Sequence, residues 1–175
     1  MNLRDMRLPL TRRYALPVLG LLLIGTIIGY GIMTSLRERR LSDVAARGAQ
    51  VMPFDLDRTT HMFEPLSDGG LQTVTSKVAT DQEQIALIRQ HLQDEADRFR
   101  KGDFSDPATI HGSDMPGLAA LREGASKIDV RFDTLPDGAQ IQYTTSDPAL
   151  LQALHAWFRA QVSDHGQHAM PATQP

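Results

Sequence analysis

The pattern of hydrophobic and polar positions changes character along the chain. Residues 14–36, YALPVLGLLLIGTIIGYGIMTSL, carry no charge and lie between Arg12–Arg13 and Arg37, Arg39 and Arg40. A helix that crosses a bilayer needs roughly 20 apolar residues, so this run predicts a single-pass signal anchor. Residues 37–55 show no sustained period and read as a linker. From Thr59 the pattern becomes that of a folded domain. Thr59–Glu64 is β-prone, Asp68-Gly69-Gly70 is a turn signal, and Leu71–Ser76 alternates, which together predict a hairpin. Thr80-x-x-Glu83 has the form of a capping box. After it Ile85, Ile88, Leu92, Ala96 and Phe99 recur at helical spacing, and Gly102 stops the helix.

The stretch FSDPATIHGSDMPG breaks any long element, and residues 117–125 predict a short helix. The first pattern then returns. Lys127–Leu135 and Ala139–Thr145 predict a second hairpin around Pro136-Asp137-Gly138. Ser146-Asp147-Pro148 starts a helix, with Ser146 as cap, that runs to about Ser163. Its stripe of Leu151, His155, Phe158 and Val162 places His155 on the buried face. Phe63, Leu66, Asp68 and Gly69 match Phe132, Leu135, Asp137 and Gly138 at a constant offset of 69. A doubled ββα unit predicts an α+β fold: a two-layer domain over residues 56–165, with a four-stranded antiparallel sheet and helices on one face. Residues 166–175 read as a flexible tail.

Charge adds a second division. Residues 1–40 hold seven Arg against Asp5 and Glu38, a net +5, which leaves −8 for the remainder of a chain whose net charge is −3. An acidic domain argues against nucleic acid as partner. Residues 1–13, with Arg4 and Arg7, read as a cytoplasmic tail, which places the domain in the periplasm of a bacterial inner-membrane protein. The anchor makes the lipid bilayer a partner. Gly25 and Gly29 have the GxxxG spacing that permits a homodimer or a membrane-protein partner.

The chain has no cysteine and six histidines. Thiolate catalysis, iron–sulfur clusters and Cys-based zinc sites are excluded, and a metal site must use His, Met or carboxylates. The candidate ligands are His91, His111, Met115 and His155, which would join two helices and a loop. Glu95, Asp114, Asp164, His165 and His168 are secondary candidates. Met62 points away from His61 on the same strand, so the two do not share a site. Imidazole with thioether suits copper first and zinc second. Non-covalent haem, in an apolar pocket near Trp157 and Phe158, ranks below both. No GxSxG, phosphate-binding loop, HExxH or dinucleotide motif is present, so the sequence gives an enzyme no positive support.

The segments MPFDLDRTTHMF, HLQDEADRFRKGDFSDPATIHGSDMPGL, LPDGAQIQYTT and ALHAWFRAQVSDHG resemble a small family of uncharacterised bacterial proteins. Members of that family commonly carry the label aspartate carbamoyltransferase. The resemblance spans residues 53–168 and implies that His91, His111, Asp114, Met115, His155 and His165 belong to a recurring pattern. The Ser-Thr-Arg-Thr phosphate loop of true transcarbamoylases is missing, the nearest string being Asp57-Arg58-Thr59-Thr60. The sequence thus predicts a membrane-anchored, extracytoplasmic copper- or zinc-handling protein. The alternatives are an interaction module that docks on a membrane complex, or a small enzyme of the kind the label implies.

Overall fold

The computed structural model describes residues 11–166 and 169–171, with side chains for 24–166, 169 and 170. It divides into two units, Met1–Arg40 and Leu41–Pro175. The first element, α1, runs without a break from Thr11 to Val51.

Within the first unit the expected anchor is not realised. Among the described residues no helix is long and apolar enough to cross a membrane. Gly25, Thr26, Gly29, Gly31, Thr34 and Ser35 lower the apolar character of the part of α1 whose side chains are described. The inner-membrane and periplasmic placement falls with the anchor. Gly25 and Gly29 have open space where a Cβ would stand. The tail residues Arg4, Asp5 and Arg7 lie outside the described residues.

The second unit opens with the last turns of α1, where the sequence had shown only a linker. Val44 is buried, and Arg47 Nε donates 2.7 Å to the Ile110 carbonyl. A 3-10 turn at Leu56–Arg58 leads into the hairpin β1 (Thr59–Leu66) and β2 (Gly69–Ser76). Then come α2 (Gln82–Phe99), α3 (Ser105–His111) and α4 (Leu118–Glu123). The second hairpin, β3 (Asp129–Leu135) and β4 (Gly138–Thr144), is followed by α5 (Pro148–His165) and the short β5 (Ala169–Pro171). The class is α+β, as expected.

The sheet is not four-stranded and antiparallel. It has five strands in the order β3-β4-β2-β1-β5, and β5 lies parallel to β1 with Ala169 opposite His61. Three residues ending in proline carry no alternation to read, and only the open edge of β1 makes them a strand. They fall within the expected flexible tail.

The strand register carries the doubling seen in the sequence. β2 pairs with β4 so that Gly69 faces Thr144 and Thr75 faces Gly138, with Gln72 opposite Ile141 at the centre. Shifting by 69 turns the first of these pairs into the second. The two ββα halves are therefore related by a pseudo-twofold axis between Gln72 and Ile141.

Helices α2 and α5 both begin on an aspartate. Asp81 accepts from Gln84 N and Asp147 from Ala149 N and Leu150 N. The caps are thus Asp81 and Asp147, one residue beyond the expected Thr80 and Ser146; Pro148 occupies the first turn as expected. On α5 the buried stripe is Leu150, Leu154, Trp157 and Gln161 rather than Leu151, His155 and Val162. Both stripes have helical spacing, and the fold buries the one that contains the indole. An aromatic group forms the centre of the core: Phe99 stacks on Phe104 at 4.5 Å, and Trp157 meets both edge-on.

Candidate metal centre

Helix α2 turns a mixed face toward the sheet. Ile85, Ile88, Leu92, Ala96 and Phe99 are buried there as the apolar spacing requires, but so are His91 and Glu95. One turn apart, the two side chains lie on the same face. His91 Nε2 stands 3.6 Å from Glu95 Oε1. Asp106, in the first turn of α3, is held by Arg98 at 2.6 Å. One ligand atom each from His91, Glu95 and Asp106 lies within 4.8 Å of the others. Two ligands on one tetrahedral zinc ion stand about 3.4 Å apart. The trio thus needs to close by little more than 1 Å, the distance that 4.8 Å exceeds this value.

Burial controls the charge of the site. It raises Glu95 to about 8, the neighbouring Asp106 charge adds to the rise, and Arg98 and the Gln72 amide oppose it. Burial lowers His91, against the pull of Asp106. At neutral pH both groups are therefore predominantly uncharged. Tyr143 OH donates to Gln72 Oε1 at 2.8 Å, which turns the Gln72 amide nitrogen toward Glu95 Oε2, 3.5 Å away. Burial, then the Glu95 charge, holds the Tyr143 phenol well above its ordinary range.

A cavity of about 10 Å³ lies beside Glu95, with room for about one water molecule or ion. Its polar wall is His61, Gln72, Glu95, His111, Gln161 and His165; Phe63, Phe99 and Trp157 are on its apolar side. Gln161 and Trp157 line the cavity, and Gln161 Oε1 and Trp157 Nε1 are buried without a hydrogen-bond partner among the described residues. A buried polar atom left unpaired costs roughly 1–3 kcal/mol, so two such atoms on the wall of one cavity point to a polar guest.

The residues singled out in the sequence are distributed unevenly. His91 and Glu95 are in the trio. His111 is buried on α3, its Nδ1 3.2 Å from Asp164 Oδ2, and its ring is 4.8 Å from that of His165. Met115 packs in the hydrophobic core and Asp114 is exposed. His155 joins neither group: its Nε2 is 3.0 Å from the Leu66 carbonyl and 2.9 Å from that of Gly69, so it secures a hairpin turn. His168 lies outside the described residues.

Asp106 and His61 were not recognised as site residues. Asp106 falls in the stretch read as irregular, which in fact contains α3. His61 was legible: it alternates with Phe63 and faces Val74 across the hairpin, so it had to point into the core.

No family model matches the chain, and neither a curated protein nor a solved structure does.

Proposed function

We propose that this protein binds a divalent transition-metal ion, zinc ahead of copper, through His91, Glu95 and Asp106. The observation that carries the reading is the convergence of one imidazole and two carboxylates within 4.8 Å, two of the three buried. Burying such groups is costly unless they pair or hold a cation. The donor set is nitrogen and oxygen without sulfur, which suits zinc; the thioether that favoured copper, Met115, lies in the core. Three protein ligands leave the fourth tetrahedral position to water or a small anion. Arg98 neutralises Asp106 in the ion-free state, so binding exchanges that ion pair for a metal bond.

Calorimetric titration of the full chain with zinc tests the reading. Wild type binds one ion at this centre, and a His91→Ala, Glu95→Gln double variant loses at least 100-fold in affinity for it. Unchanged zinc binding in a double variant that keeps its circular dichroism overturns the assignment. Trp157, the only tryptophan, lines the neighbouring cavity and gives a second optical readout.

A further inference from the structure

Across the cavity from α2 lies a second group of side chains that the His91 centre does not use. His61 comes from β1, His111 from the last turn of α3 and His165 from the last turn of α5. All three are buried. The His165 ring is 4.8 Å from that of His111 and 5.3 Å from that of His61. We infer that His61, His111 and His165 form a second, imidazole-rich metal centre, with zinc or divalent copper as its ion.

The geometry supports shared ligation. With a metal–nitrogen bond of about 2.1 Å, a bound ring has its centroid about 3.2 Å from the ion. Two rings at the tetrahedral angle then have centroids about 5.2 Å apart. Both separations around His165, 4.8 and 5.3 Å, lie close to that value. His111 is also oriented from behind, because its Nδ1 faces Asp164 Oδ2 at 3.2 Å. A carboxylate on Nδ1 fixes the neutral ring as the tautomer whose lone pair is on Nε2, and it raises the basicity of that nitrogen. Ring packing alone would give similar separations, but it does not account for Gln161 Oε1. That oxygen is buried on the wall of the same cavity without a hydrogen-bond partner among the described residues. A water molecule on the ion would supply its donor.

This centre uses different ligands from His91, Glu95 and Asp106, so the two stand or fall separately. The test is the number of zinc ions retained by the full chain after equilibrium dialysis, measured by elemental analysis. Wild type is expected to retain two. His165→Ala is expected to retain one, as is the His91→Ala, Glu95→Gln variant, and the combined variant none. His111→Gln is the second variant if His165→Ala loses its circular dichroism. Loaded with divalent cobalt, wild type should show two additive sets of visible d–d bands, one of which disappears in the His165 or His111 variant. Two ions retained in both the His165→Ala and His111→Gln variants overturn the second centre. So does a single wild-type ion that the His165→Ala and His111→Gln variants still retain; a single ion lost in those variants and kept in the His91→Ala, Glu95→Gln variant overturns the His91 centre instead. A wild type that retains no ion overturns both centres.

Discussion

Arg89 and His155 make the same contact on opposite halves of the domain. Arg89, on α2, donates to the carbonyls of Leu135 and Gly138 at the turn of the second hairpin. His155, on α5, faces the carbonyls of Leu66 and Gly69 at the turn of the first. These carbonyls are equivalent under the 69-residue shift. Each donor stands eight residues after its capping aspartate, Asp81 or Asp147. Each helix therefore secures the hairpin of the other half. His155 is half-buried at an apolar-spaced position because the latch is there, not because a metal is.

Removing the latch should lower stability and spare the metal. His155→Ala takes away one N–H shared between two carbonyls, at a cost of about 1–2 kcal/mol. His155→Gln, which keeps a donor, should recover part of that loss. Urea unfolding measures the stability; zinc titration of His155→Ala should give wild-type affinity within twofold.

Stability of the metal-free protein should fall as pH rises from about 6.5 to 8. Glu95 has a raised folded value of about 8 against 4.5. In that window the folded state holds a proton that the unfolded state has released. Its contribution is full below pH 4.5 and is lost as pH rises through 8. His91 is lowered from 6.5, so its contribution is full above 6.5 and is lost as pH falls through its folded value. Above pH 6.5 only the Glu95 slope of this pair remains. Denaturation midpoints of Glu95→Gln across this range should be flatter than those of wild type.

Zinc binding at pH 7 should release close to one proton, because Glu95 must ionise to ligate. The apparent enthalpy should then vary linearly with the ionisation enthalpy of the buffer. In Glu95→Gln this dependence should disappear along with most of the affinity.

Gly117→Ala should be among the most damaging single-methyl substitutions. Gly117 has φ +82, and a Cβ there would stand 2.1 Å from the Ala153 carbonyl oxygen of α5. Backbone meets backbone, so no side chain can yield. A loss of about 2–4 kcal/mol is expected in denaturant unfolding, with a displaced α4.

What was legible in the sequence follows from how each feature is encoded. Alternation and turn residues gave both hairpins, and the Ile85–Phe99 stripe gave α2, because these signals are local. On α5 the two competing stripes differ by one residue, and only the packing of Trp157 against Phe99 and Phe104 decides between them. β5 is set by an edge more than a hundred residues away in sequence. The site divides the same way. His91 and Glu95 share one helical turn and were visible together. Asp106 joins them only after the chain folds back after Gly102, and no spacing rule carries that information. The uncharged run before Arg37 predicts an anchor, but among the described residues no helix is long and apolar enough to cross a membrane.

The most direct test of the proposed metal centre is the position of the ion. Crystals of the full chain grown with saturating zinc, measured on both sides of the zinc absorption edge, should show an anomalous peak bonded to His91, Glu95 and Asp106. Each bond should be about 2.0–2.2 Å long. No peak between these three residues at full zinc occupancy would contradict the assignment.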